Sequence, residues 1–431
     1  MPKTVVIGGG WAGVSAALAA KQAGADVTVL ERTDMLLGTG LVGGIMRNNG
    51  RFTATEEAIA MGADKMFATI DSVVRHKSID FPGHKHADLY DVAKVEPAIK
   101  KMLEDAGVKV QTLARATDVQ MEGSKIKAVV LEDGEVVEGD VFLETTGTAG
   151  PMGNCAKYGN GCVMCIYRCP SFGPRVSMAA KAGVQEMIGQ KGDGSYGAMS
   201  GSCKLHKESL SDELVEKLNK TGVVVVPIPE RLMKKGALEM KACQQYALKE
   251  FAENVILLDT GHAKLMSPFY PLDTLRQIPG FENARFEDPY AGGKGNSMRY
   301  LALSPRDNKL QVEGVDNLFC AGEKAGLLVG HTEAIVTGFL AGNNAVRKAA
   351  GMQLLELPAT LAIGDAIAHV KEQMATEDGR KQKYTFSGSV YFKRMQEKGL
   401  YTTDVDAISK RVADAGLTGI FKQKVTEAVP V

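Results

Sequence analysis

A chain of 431 residues, 45% of them hydrophobic, is long enough for about three domains and a large core. Its 51 basic and 51 acidic residues cancel, which excludes a global field that would draw in nucleic acid or anionic membrane, though not a local basic patch. No apolar run approaches the ~18 residues that cross a bilayer, and nothing resembles a signal peptide, so a soluble, cytoplasmic protein with reduced thiols and no membrane partner is expected.

The first segment carries the most information. Thr4-Val5-Val6-Ile7 reads as a short β-branched strand that runs into Gly8-Gly9-Gly10-Trp11-Ala12-Gly13, a G-x-G-x-x-G fingerprint in the strand-to-helix context it needs. Gly8 permits the tight turn, Gly10 lets a pyrophosphate approach the backbone, and Gly13 lets the helix pack close to the sheet. Trp11 and Ala12 open that helix, and Ala16, Ala17 and Ala20 continue a small-residue face. Val27-Thr28-Val29-Leu30 is the second strand, and Glu31 at its end is placed to accept hydrogen bonds from a ribose. Arg32 is a candidate to flank the adenine. Strand, glycines, helix, second strand and terminal acid in this order predict a dinucleotide site.

His76, His84 and His86 follow. Two histidines one residue apart point to opposite faces of a strand, so a solvated loop is expected there rather than a metal site. Lys127–Leu131 and Glu135–Val137 form a hairpin pair around Asp133-Gly134. Val141–Glu144 reads as a strand that ends in Thr145-Thr146-Gly147, and Asn317–Cys320 as another that ends in Ala321-Gly322-Glu323. In flavin enzymes of this architecture such a late strand places an acid on the ribityl chain, which favours FAD over NAD and makes Glu323 the candidate. A helix begins near Thr332, with Ala334, Gly338, Ala341 and Ala345 as a small stripe. Its N-terminus faces the flavin pyrimidine edge in this reading. Arg299, Tyr300, Lys324 and His331 are candidate substrate-side groups, Lys324 and His331 the catalytic candidates. No second glycine fingerprint offers a dedicated NAD(P)H domain, and no G-x-S-x-G elbow supports a hydrolase.

Between the two flavin segments lies Cys155, followed by Cys162, Cys165 and Cys169-Pro170 in C-x2-C-x3-C-P spacing. The spacing lets three thiolates converge on one cubane with Cys155 as fourth ligand, so a [4Fe-4S] cluster is expected. Cys203 is the alternative fourth ligand. Structural zinc competes with this reading, although zinc sites usually present two separated pairs. Cys243 and Cys320 read as buried apolar residues.

The runs Ile278–Tyr290 and Asp316–Arg347, with Gly8–Gly13, Gly43-Gly44-Ile45, Thr145–Thr148 and Leu357–Thr360, resemble the glucose-inhibited division protein A family of tRNA uridine-modifying flavoproteins and folate-dependent tRNA uridine methyltransferases. The resemblance implies an α/β fold: a Rossmann-like, glutathione-reductase-like FAD-binding domain interrupted by an inserted α+β domain, with Gly44, Thr146, Gly147, Gly322 and Thr332 among the FAD contacts. RNA-modifying members place a cysteine just before the G-G-I turn, but here Gly38-Thr39-Gly40-Leu41-Val42 carries none.

The organisation expected is a first flavin-binding part over 1–150, an insertion with the cysteines over 151–280, a second flavin-binding part over 281–350 and a mixed, helical C-terminal segment over 351–431. Within these, helices are predicted over Ser211–Lys220 and over Asp404–Ala415, the latter with Val405, Ile408 and Val412 on one face, and a buried strand over Val223–Ile228. The function that follows is an oxidoreductase in which FAD exchanges two electrons with a small-molecule substrate or reductant while the cluster passes electrons singly, with a ferredoxin-like or other redox partner protein as external donor. An RNA uridine modifier acting on tRNA, or a non-catalytic electron carrier, are the alternatives.

Overall fold

The structure, a computed structural model, describes residues 1–148, 169–200, 203–233, 244–266, 271–287 and 297–425. Its frame is a five-stranded parallel sheet in the order Leu318–Cys320, Val141–Glu144, Lys3–Ile7, Asp26–Leu30, Lys109–Gln111. The three central strands read as near-continuous apolar runs because helices and loops cover both faces of a parallel sheet, leaving no solvent side for polar alternation. Val5, Val6, Val27, Val29, Phe142 and Leu143 are all buried. The helix Trp11–Gln22 lies against the sheet and is crossed by the long helix His331–Ala349. Side chains at Gly338 and Gly342 would strike the Ala12 and Ala16 carbonyls. Of the expected small stripe Gly338 lies against the neighbouring helix backbone, and Gly342, outside the expected set, makes a second such contact. The resulting architecture is the Rossmann-like FAD-binding type with an insertion and a helical C-terminal region.

The hairpin around Asp133-Gly134 forms, with Lys125–Leu131 antiparallel to Val136–Glu138 and Gly134 at φ +91°. The histidine segment departs from expectation. His84–Tyr90 pairs antiparallel with Val74–Phe81, and His84 is buried between Asn48 and the Gln245 carbonyl, stacked on Phe81. It is a core residue of a strand rather than part of a solvated loop, because its two ring nitrogens each find a partner inside the protein.

The inserted region builds a four-stranded antiparallel sheet in the order Cys203–Leu205, Ala263–Leu265, Asn254–Asp259, Val223–Pro227. The helix Asp212–Thr221 packs on it and ends at Gly222 in a left-handed conformation, as the sequence indicated to within one residue. Val223–Pro227 is only half-buried, with Val225 exposed. Among the described residues it is the edge strand of this sheet, with Val224 in the core and its neighbour Val225 on the opposite, solvent-facing side. Ile45, Phe81 and Leu89 of the hairpin region share a cluster with Tyr246, Phe251, Ile256 and Leu258 of the insertion, which seats the inserted sheet on the flavin-binding frame.

The C-terminal region includes the helices Ala362–Met374, Glu377–Lys381, Ser389–Glu397 and Val405–Asp414. Asp404 caps the last of these by accepting the Asp406 and Ala407 N–H groups, and Ile408 and Val412 are buried, but Val405 is exposed. Residue 405 falls in the first turn, ahead of the face that packs. The segment around Tyr384 pairs with Leu327–Val329, just ahead of the long helix. No helix among the described residues is long and apolar enough to cross a membrane.

Candidate functional site

The glycine loop folds as its composition requires. Gly8 sits at φ +100°, and a side chain there would come within 2.7 Å of the Thr145 carbonyl oxygen. A side chain at Gly13 would overlap the Gly8 carbonyl, so the Trp11–Gln22 helix starts directly against the loop. The Thr145 hydroxyl stitches the two strands together through the Ile7 and Gly8 carbonyls at 3.0 and 2.7 Å. Above the loop the packing stops among the described residues: side chains built at Gly10 and Gly147 would meet none of them within 4 Å. Tight beneath and open above is the cradle a pyrophosphate needs, with the N-terminus of a twelve-residue helix at its floor.

Glu31 lies at the end of its strand as expected. It accepts the Gly9 N–H at 2.8 Å and the Thr33 N–H and hydroxyl at 2.9 and 3.0 Å. Each carboxylate oxygen has room for more than one bond, so Glu31 both braces the loop and remains suited to a ribose. Arg32 donates to the Gly173 carbonyl, which ties it to the segment after the cysteines. Gly44, at φ +80°, packs on Thr260, and Lys264 donates to the Val42 carbonyl. The inserted sheet thus abuts the Gly43-Gly44-Ile45 turn. Thr146 donates to Glu144 at 3.0 Å and accepts from Arg175 at 2.9 Å. Gly322 donates its N–H to the Thr337 hydroxyl at 2.9 Å, and Glu323 accepts the Thr148 hydroxyl at 2.5 Å, which joins the T-T-G and A-G-E loops at one end of the sheet.

His331 is the first residue of the long helix. Its ring lies against Gly43, 6.1 Å from the Trp11 ring centroid and 3.5 Å from the Tyr90 hydroxyl, which itself bonds the Gly40 carbonyl. Burial pushes the Tyr90 hydroxyl pKa well up, so it stays a proton donor at neutral pH. Thr332 is buried, its hydroxyl 3.9 Å from the Met46 sulfur. His331, Trp11 and the Gly40–Gly44 turn, far apart in sequence, are brought together.

Lys324 is placed differently from a substrate-side group. It is fully buried, paired with Glu186, 3.2 Å from Glu144 and 2.7 Å from the Ser177 hydroxyl. Burial alone would push the Glu144 carboxyl up, but the Lys324 ammonium, Arg175 and the Ala179 N–H outweigh it and hold it below the usual range. Glu144 also accepts the Met178 and Ala179 N–H groups at 3.1 and 2.7 Å. Lys324 therefore locks the base of the T-T-G loop to Met178–Lys181. Glu144 was missed as a site residue; an acid closing an otherwise apolar buried strand was the signal, since such a charge needs a buried partner. The Tyr300 side chain is buried, and that of residue 299 lies outside the described ones.

Cys155, Cys162, Cys165 and Cys243 also lie outside the described residues. Cys169 begins a short helix, Cys169–Phe172, and Cys203 is buried in the first strand of the inserted sheet. Among the described residues no group of three or more histidine, cysteine or acidic side chains is arranged to hold a metal ion. Cys320 is buried as expected, its thiol pKa pushed well up by burial.

The structure is similar to that of Aquifex aeolicus GidA, with a TM-score of 0.69 at 18% identity over 97% of this chain and 74% of that one. In sequence it is 40% identical over 96 residues to the methylenetetrahydrofolate–tRNA-(uracil-5-)-methyltransferase TrmFO of Lactobacillus delbrueckii subsp. bulgaricus, a match that covers 22% of this chain and 20% of that protein. It is 33% identical over 100 residues to the TrmFO of Desulfotalea psychrophila, over 23% and 22% of the two chains. These matches span about a fifth of the length of the relatives. The family described as glucose inhibited division protein A, by contrast, matches over residues 3–266 and 259–353, from the glycine loop to the end of the long helix, and the chain belongs to that family.

Proposed function

We propose that this chain is an FAD-dependent enzyme whose flavin site serves the modification of a uridine base in tRNA. The observation that carries the cofactor is the cradle itself, closed beneath Gly8 and Gly13 and open above Gly10 and Gly147. In this reading Gly10, Trp11 and Ala12 hold the pyrophosphate, Glu31 the ribose, Gly44, Thr146, Gly147, Gly322 and Glu323 the ribityl and ring end, and Thr332 the pyrimidine edge. Bound flavin supplies two-electron oxidation and reduction, with one-electron steps also open to it. The chain's own part is to seat it: the Gly43–Gly44 turn and His331 close one side, and Tyr90 holds its proton beside His331. The domain division at 150, 280 and 350 belongs to the same proposal.

The tRNA assignment is supported by family membership and by the activity in the relatives' names. Catalysis here would differ from a mechanism built on a thiol at the G-G-I turn, because residues 38–42 contain none. Arg75, Lys204 and Lys207 lie in or beside the inserted sheet, but each is paired with Asp259 or Glu287, so RNA would have to exchange these pairs.

The test is the purified full chain with FAD and an unmodified tRNA transcript. Retained FAD, binding that weakens steeply with salt, and a mass change on a uridine are expected. Loss of FAD on desalting would overturn the cofactor assignment; FAD retention without tRNA binding at low salt would overturn the substrate.

A second reading is favoured by one specific observation, the spacing of Cys155, Cys162, Cys165 and Cys169. It makes the chain an iron–sulfur flavoenzyme that exchanges electrons with a partner protein. About four irons per chain after anaerobic purification, lost in Cys162→Ser, support it; zinc alone, or no metal, refutes it.

A further inference from the structure

A buried ion pair that none of the roles above uses lies under the start of the long helix. Glu333 stands in the first turn of His331–Ala349 and is fully buried. Its two oxygens accept Arg51 Nε at 3.2 and 3.0 Å, and one of them also takes the Thr385 hydroxyl at 2.6 Å and the Phe386 N–H at 2.9 Å. Arg51, from the helix Gly50–Ala58, is 4% exposed at its side chain. Its other nitrogens donate to Asn48 at 3.1 Å and to Thr385 at 3.3 Å. Gly330 lies directly on the pair, since a side chain there would strike both the Glu333 carboxylate and the Arg51 guanidinium.

The pair does not end there. Asn48 passes its side-chain amide to His84 Nδ1 at 2.9 Å, and His84 Nε2 meets the Gln245 carbonyl at 3.1 Å. Burial, with the Arg51 charge as second cause, lowers the His84 pKa to about 3, so that ring is neutral and Nε2–H is the donor. One chain of hydrogen bonds therefore runs from the helix start through the hairpin to the insertion. Among the described residues Glu333 and Arg51 are the carboxylate and the guanidinium of that chain, and neither is exposed to water that would screen it.

We propose that Arg51 and Glu333 are positioning residues that fix the net charge at the start of the long helix, which the FAD reading assigns to the flavin, and so set how readily a bound flavin is reduced. The proposal rests on the FAD reading above. Reduction adds negative charge to the ring, which the helix N-terminus favours. A carboxylate in the same first turn opposes it, and the guanidinium cancels that carboxylate. Removing one partner unbalances the site in opposite senses. Loss of the Glu333 charge leaves a buried cation and favours the reduced flavin. Loss of the Arg51 charge leaves a buried anion and disfavours it. A purely structural pair would instead weaken FAD retention in the same sense for both.

The experiment equilibrates FAD-loaded full-length protein with a reference dye and reads the ratio of reduced to oxidised flavin. Glu333→Gln is expected to raise that ratio at least tenfold, about 30 mV for a two-electron couple. Arg51→Gln is expected to lower it by a similar factor. The double variant should return within about threefold of the unaltered protein, and Arg51→Lys, which keeps the charge, should do the same. Should Arg51→Gln lose its flavin, the Glu333→Gln and Arg51→Lys pair decides. Shifts of the same sign in Glu333→Gln and Arg51→Gln, no shift in a Glu333→Gln variant that retains FAD, or a large shift in Arg51→Lys overturn the proposal while leaving the cofactor assignment intact. Failure of the unaltered chain to retain FAD overturns both.

Discussion

The glycine cradle and the inserted sheet solve the same problem, holding distant strands in register, by opposite means. In the cradle the backbone itself is the contact: Gly8 meets Thr145, Gly13 meets Gly8, and Gly338 and Gly342 meet the Ala12 and Ala16 carbonyls. In the inserted sheet the turn at Asp259 is held by charge. Its carboxylate takes Arg75 at 3.1 Å, His76 at 2.9 Å, Lys207 at 2.5 Å and the Gly261 N–H at 3.1 Å. Burial pushes the Asp259 carboxyl up, yet hydrogen bonds from Lys207, His76 and Arg75 outweigh it and hold it at about 2. The first device tolerates no added atom, and the second tolerates no lost charge.

The sharpest way to break that comparison is within the loop. Gly13→Val has no room and is expected to cost about 3 kcal/mol or more, seen as a large fall in melting temperature together with loss of FAD. Gly10→Val meets none of the described residues, so it should cost about 1 kcal/mol or less while lowering FAD affinity at least tenfold. Equal destabilisation by the two would show that the space above Gly10 is not a site.

Next in size is Asp259→Asn, which strands three partners of one carboxylate. About 3 kcal/mol of stability should be lost in urea unfolding, with FAD content retained. The sign in pH follows from the lowered pKa: the contribution is complete above the ordinary value near 4 and fades as pH falls toward 2. The variant should lack this acid-limb loss.

The smallest effect concerns Glu57, which is fully buried and accepts the Ala362 and Ile363 N–H groups at 2.8 and 3.0 Å, capping the helix Ala362–Met374. Burial raises its pKa to about 7 against these bonds and Arg411. A raised acid pKa favours the folded state most below the unfolded value near 4.5, and that advantage declines as pH rises to about 7. Glu57→Gln should flatten the melting temperature between pH 5 and 7, changing stability at pH 8 by no more than about 1 kcal/mol. A slope unchanged by the substitution would assign the pH dependence elsewhere.

What could be read in advance follows the same divide. Strand, glycine loop, helix and terminal acid at residues 4–31 are local, and each glycine's purpose is set by its neighbours in sequence. So too are the hairpin at Gly134 and the helices at 212–221 and 405–414. The His84 strand went unread because its burial depends on Asn48 and Gln245, which lie 36 and 161 residues away. Lys324 read as a substrate-side, catalytic candidate because sequence shows a lysine in a glycine-rich loop; that Glu144 and Glu186 arrive beside it is visible only in the fold.

By itself, then, the sequence determined the flavin-type frame and the residues lining its cradle, since short-range sterics and the burial of apolar strands leave one solution there. Only the tertiary structure decided which polar groups are buried together: Arg51 with Glu333, Lys324 with Glu144, Asp259 with Arg75, Lys207 and His76. The physical reason is that an ion pair's partner can come from anywhere in the chain, and its cost or benefit exists only once water has been excluded from both.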